Sequence, residues 1–229
     1  MKNFIFAGRF IKLQMKKILL LLILLTFTTY AQKIRPFVGC SAYVHTDFEN
    51  RGFGELKLGA EYKFFYYLKP EIEISYMFGN LEGFTNYDET GLAISEYSQK
   101  VSAVNYSFSP KFILGNKDDG DGYVQILPKY TYSNIQASGH RFSRNPIESS
   151  KPIEEKKKFS SNEHSFGIGL GYVVDFSDEN SQSIALNIYL NNVDLGKALN
   201  KLETNKRFNT EYVIGFGVNY YFSLKKKTI

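Results

Sequence analysis

Glu55-Leu56-Lys57-Leu58-Gly59-Ala60-Glu61-Tyr62-Lys63-Phe64 and Pro70-Glu71-Ile72-Glu73-Ile74-Ser75-Tyr76-Met77-Phe78 set an apolar residue at every second position, with charged or small residues between. Successive side chains of an extended chain point to opposite faces, so this period of two is that of a strand with one apolar and one polar face. The short Tyr66-Tyr67-Leu68 stretch between the two runs makes them a hairpin.

The same alternation recurs outward from this hairpin, near 34–46, 101–115, 123–132, 164–176, 183–190 and 210–222, giving eight strands in all. The connections after the second, fourth and sixth strands are short (65–68, 116–122 and 177–182), whereas those after the first, third, fifth and seventh run 47–54, 79–100, 133–163 and 191–209. In an up-and-down barrel, this alternation gathers the short turns at one rim and the long loops at the other. The expected fold is therefore all-β: an eight-stranded antiparallel up-and-down transmembrane β-barrel with short periplasmic turns and long surface loops.

Volume decides which face is outside. Eight strands with roughly five apolar side chains each carry about forty large groups on one face, while about twelve inward side chains fill a barrel of this strand number. The Tyr, Phe and Ile rows must point outward, and outward apolar rows on this scale require lipid. The other face carries Arg35, Lys57, Glu61, Glu71, Glu73, Lys111 and Lys129, with Gly167, Gly169, Gly171, Gly215 and Gly217 leaving room for them. Its mixed signs predict a plugged lumen. Aromatic residues at strand ends, such as Phe64, Tyr76, Tyr132, Phe166 and Phe222, suit interfacial girdles.

Composition narrows the class further. The 229 residues carry 28 Lys and Arg against 23 Asp and Glu. Five of those bases precede position 32, so the remainder balances at 23 against 23 and points to no nucleic-acid partner. A mean hydropathy of −0.27 is too polar for a helical membrane protein. The single cysteine, Cys40, excludes an internal disulfide and a Cys-rich metal site. Residues 1–31 read as a signal peptide: Met15 is the better-placed start, Lys16-Lys17 precede an apolar run from Ile18 to Thr29, and Thr29 and Ala31 supply small residues before a cut at Gln32. The barrel then occupies 32–222, with a basic tail at 223–229.

The last strand, Gly215-Phe216-Gly217-Val218-Asn219-Tyr220-Tyr221-Phe222, resembles the terminal strands of small Gram-negative outer-membrane β-barrel proteins, the OmpA-like or PorT-like β-barrel domain family. Val218, Tyr220 and Phe222 match the family's alternating apolar residues and final aromatic, whereas the tail after Phe222 departs from it. The resemblance implies a cell outer membrane location, with outer-membrane lipid, lipopolysaccharide and the barrel-assembly machinery as partners, and leaves the activity open.

Some barrels of this size modify lipids, which directs attention to the histidines. His45, His140 and His164 show no His-x-Ser spacing that would place base and nucleophile on one strand face. No Gly-x-Ser-x-Gly elbow, Walker loop or His-Glu-x-x-His site occurs. Asp118-Asp119-Gly120-Asp121-Gly122 lacks the spacing and distal Glu of an EF-hand and reads as a solvated turn. The sequence thus points to a non-enzymatic protein without catalytic, cofactor or metal residues, porin-like in architecture, with a structural or surface-binding role. A lipid A acylase or deacylase-like barrel and a soluble lipocalin-like carrier are the alternatives. An unassigned surface ligand would be met by Tyr87, Tyr97, His140, Arg141 and Arg144 in the long loops. Glu154-Glu155-Lys156-Lys157-Lys158 is mixed in sign and reads as part of a mobile hydrophilic loop, or else as cations for lipopolysaccharide phosphates. Leu195, Leu199 and Leu202 fall at helical spacing, which predicts a short amphipathic helix plugging the rim.

Overall fold

The computed structural model describes residues 33–115, 122–144, 152–176, 182–191, 193–202 and 207–222. Residues 1–31, Asp118, Asp119, Asp121 and the 223–229 tail lie outside them. Eight strands run β1 (Ile34–Val44), β2 (Gly52–Tyr62), β3 (Leu68–Tyr87), β4 (Ala93–Leu114), β5 (Gly122–Ser143), β6 (Ile153–Asp175), β7 (Ser183–Asn191) and β8 (Val213–Tyr221). Each pairs antiparallel with its sequence neighbour, and β8 returns to β1, so the sheet closes as an up-and-down barrel. Closure satisfies the backbone groups that an open edge would leave bare in lipid.

Side-chain parity is as the alternation requires. Leu58, Ile72 and Phe166 expose 60%, 62% and 70% of their surface, whereas Glu61 and Lys111 between the apolar rows are fully buried. On β5 the outward apolar residues span 124 to 132, close to the number of residues a tilted strand needs to cross a hydrocarbon core.

The strand lengths bring a correction. The segments 79–100 and 133–163, read as long loops, are mostly strand, because β3 continues to Tyr87, β4 begins at Ala93, β5 reaches Ser143 and β6 starts at Ile153. Above the apolar belt the outward residues become polar, as in Ser102, Gln136 and Ser160, so the hydrophobic period ends while the ladder goes on. Glu154 to Lys158 are accordingly part of β6 and not a mobile loop. The four central strands thus rise beyond the rim as a tall sheet, and β1, β2, β7 and β8 stop near it.

The lumen is filled in tiers. Toward the turn rim, Arg35 meets Glu61 at 3.0 Å and donates to Ser183 Oγ at 2.8 Å. Lys111 bridges Glu61 and Glu71, and Tyr221 donates its hydroxyl to Glu71 at 3.0 Å. Midway, Lys129 pairs with Glu73 at 2.6 Å, while Glu55 holds Lys57 at 3.2 Å and accepts from Tyr43 and Ser75. The glycines make the room the sequence suggests: a Cβ at Gly215 would overlap the Tyr43 ring, and one at Gly59 the Phe37 ring. Toward the loop rim the filling turns apolar, with Tyr43, Phe48, Phe53, Met77, Val101 and Ile135 packed beneath Val193, Leu195 and Leu199. The one-turn helix α1 (Gly196–Leu199) carries this lid, the plug foreseen from the leucine spacing. Two cavities that described residues line within the lumen have about 20 and 10 Å³, at most room for single waters.

Candidate functional site

The tall sheet offers two faces, and the ladder assigns each residue to one of them. Tyr97 and Arg141 are register partners continuing the lumen-side face, and Phe84 joins them there after a bulge, its ring 5.7 Å from that of Tyr97. Tyr97 is steadied by Gln99, whose amide donates to its hydroxyl. His140 precedes Arg141 by one residue and therefore stands on the opposite, outward face. Tyr87 is exposed at the end of β3, and Arg144 follows β5, its N–H donated to the Ile94 carbonyl at 2.8 Å. Of the five candidate contact residues, the structure brings together Tyr97 and Arg141 and sets His140 apart from them.

The outward face of the tall sheet carries two rows rich in lysine below an acidic one, in which Glu96 and Glu154 flank Phe142. Lys100, Ser138 and Lys158 lie side by side across β4, β5 and β6, and Ser98, His140 and Lys156 form the next row. Glu154 accepts from Lys156 at 2.6 Å and lies 2.8 Å from His140, and these bonds hold its carboxyl below the ordinary range. Glu155, bonded to Lys157, is lowered likewise. At the rim, Glu163 holds the Lys197 ammonium above its ordinary value through a 2.6 Å bond. Lys100 and Lys158 have no acid partner among the described residues. Two clefts, of about 990 and 400 Å³, share Lys100, Ser138 and Lys158 in their walls. The larger continues down onto Tyr76, Phe78 and Phe216 of the apolar belt. Sequence reasoning passed over Lys100 and Ser138, because their neighbourhood exists only in the register of three strands.

The histidines are engaged elsewhere. His45 Nε2 lies 2.9 Å from the Asn209 carbonyl and its Nδ1 accepts from the Asp47 N–H. His164 meets the Tyr130 hydroxyl at 2.6 Å on the outward face, while the adjacent Ser165 is buried in the lumen. Neither arrangement aligns a base with a nucleophilic serine. Among the described residues no group of three or more His, Cys, Asp or Glu is placed to hold a metal ion.

Solved structures similar to this chain are outer-membrane eight-stranded β-barrel proteins. Neisserial surface protein A is 9% identical with a TM-score of 0.42, the match covering 83% of this chain and 96% of that one. The attachment invasion locus protein Ail of Yersinia pestis, solved with the heparin analogue sucrose octasulfate, is 12% identical with a TM-score of 0.38, covering 82% and 97%. A major outer membrane protein of Thermus thermophilus is 16% identical with a TM-score of 0.43, covering 82% and 99%. No family model matches the chain, and no curated protein does.

Proposed function

We propose that this chain is an exported, non-enzymatic protein of the cell outer membrane, which closes its lumen to ions and carries the tall sheet of β3–β6 as a surface-binding platform. The observation that carries this reading is the outward apolar belt on all eight strands around a filled polar lumen. Such a surface requires lipid, because a water-soluble monomer rarely exposes more than a few hundred Å² of contiguous apolar area. A soluble carrier would show the reverse, with an apolar cavity inside and a polar wall outside. With the belt committed to lipid and the lumen to its own ion pairs, recognition falls to the tall sheet, where Phe84, Tyr97 and Arg141 form a partly exposed aromatic and cationic strip, and Tyr87 and Arg144 stand at its top. Export would rest on residues 1–31, and assembly on recognition of the terminal strand ending at Phe222.

Surface labelling tests both location and orientation. In a Cys40→Ala background, Ser143→Cys should react with a membrane-impermeant maleimide on intact cells, and the protein should stay with outer membranes until detergent is added. Release into soluble periplasm would favour the carrier. Labelling only after permeabilisation would place the tall sheet on the inner side.

A further inference from the structure

We infer that the outward face of β4–β6 is a binding site for a phosphorylated glycolipid of the surrounding leaflet, held by Lys100 and Lys158 across Ser138. The inference rests on the membrane reading above and deepens it. Lys100 and Lys158 are exposed, point away from the lumen and lack an acid partner among the described residues, while Ser138 between them is small enough to leave a cleft. Adjacent strands lie about 4.8 Å apart, so the two lysines stand about 10 Å from one another at the backbone and their flexible stems can converge on one anion. The cleft runs without interruption from these cations down to Tyr76, Phe78 and Phe216 on the lipid-facing wall. An occupant must therefore be anionic above and apolar below, which describes a membrane lipid and not a free anion.

Height distinguishes the kind of lipid. Lys100 lies four residues beyond Val104, where the continuous outward apolar row of β4 ends. At about 3.3 Å per residue and a tilt of about 40°, this is about 10 Å above the hydrocarbon edge. Lys158 shares the row of Lys100 two strands along, which at this tilt sets it about 6 Å higher, or about 16 Å above that edge. Phospholipid headgroups occupy only about 5–8 Å on each side of the hydrocarbon core. A ladder of lysines that climbs past this zone, with Lys156 one row higher still, matches phosphates distributed over a thick saccharide head.

The test uses the full-length protein refolded in detergent and in phospholipid vesicles, with native mass spectrometry reading retained lipid. The probes are a rough lipopolysaccharide with phosphorylated inner-core sugars, phosphatidylglycerol and inorganic phosphate. Wild type should retain the lipopolysaccharide over phosphatidylglycerol. Lys100→Gln with Lys158→Gln should weaken this roughly tenfold or more, and the corresponding Arg pair should restore it. Equal retention by the Gln variant, preference for phosphatidylglycerol, or full displacement by inorganic phosphate would each overturn the site while leaving the membrane reading intact. A wild-type protein that stays soluble and does not insert would overturn both.

Discussion

The two halves of this barrel are built of the same strand pattern at different lengths. β1, β2, β7 and β8 have 9 to 11 residues, whereas β3 to β6 have 20 to 23. The shorter strands are about as long as a bilayer crossing demands, and in these all outward positions are given over to lipid. The longer ones devote half their length to that task and the rest rises above it, where the outward face turns polar and only the base of the inward face, as at Val101 and Ile135, stays apolar. Selection on side chains is therefore of two kinds in one continuous sheet, and a substitution should have a cost set by its height and face more than by its chemistry.

The largest effect is expected low in the lumen, where the two halves are tied together. Lys111 of β4 bridges Glu61 of β2 and Glu71 of β3 and donates to Tyr221 of β8. Lys111→Met leaves two buried carboxylates short of a cation and should cost about 3–5 kcal/mol in urea unfolding from vesicles. A loss below about 1 kcal/mol would mean that water reaches this tier, and that the lumen conducts.

Next in size is the contrast within the tall half. Leu170→Lys on the apolar belt of β6 should cost about 2–4 kcal/mol. Ser138→Lys faces the same way on β5 but stands above the belt, and should change stability by no more than about 0.5 kcal/mol. Equal costs would place the hydrocarbon boundary higher than the end of the apolar rows.

The smallest effect concerns the top of the sheet. Bonds from Lys156 and His140 hold Glu154 below its ordinary value of 4.5. A carboxyl lowered in the folded state contributes stability that is present above that ordinary value and is lost as pH falls through the lowered one. Amide-exchange protection in 140–143 and 153–156, corrected for intrinsic rates, should thus fall on acidification below the ordinary carboxylate range, while that of β7 and β8 persists. Uniform protection across this range would show the top of the sheet to be held by its backbone ladder alone.

Which parts could be read from the sequence follows from the same division. Within the belt, lipid forces an apolar residue at every outward position, so Leu56, Leu58 and Ile72, Ile74 announce their strands. Higher up, Asn134 and Asn162 are hydrogen-bonded neighbours on one face, yet on β6 the run Ser160-Ser161-Asn162-Glu163-His164-Ser165 is polar on both faces and leaves no period to detect. The apolar filling beneath the lid is hidden for the opposite reason: in Ala42-Tyr43-Val44 and Tyr76-Met77-Phe78 both faces are apolar, and only register shows that Tyr43 and Met77 point inward. Among the candidate contacts, His140 and Arg141 come from one segment, 133–163, that reads as a loop in the sequence. The parity that identified the lower strands separates them once β5 is known to run on to Ser143. The lysine site depends on three strands meeting in register, which no single segment can display.

The seam between β1 and β8 has a bearing on how the molecule comes to exist. Every other pairing joins consecutive strands, but Phe37 to Tyr43 must find Gly215 to Tyr221 across almost the whole chain. Closing so long a loop demands entropy that nearer pairings do not, so the seam is the natural last step of folding. Until it forms, Tyr221 is remote from Lys111 and Glu71, and the charges of the turn-side tier face an unfinished wall. A half-built sheet would present Glu61 and Lys111 to hydrocarbon, a state of high free energy. Insertion and ring closure are thereby kinetically coupled: the barrel enters the bilayer as it shuts, and the buried ion pairs that hold it closed also penalise every open route to that state.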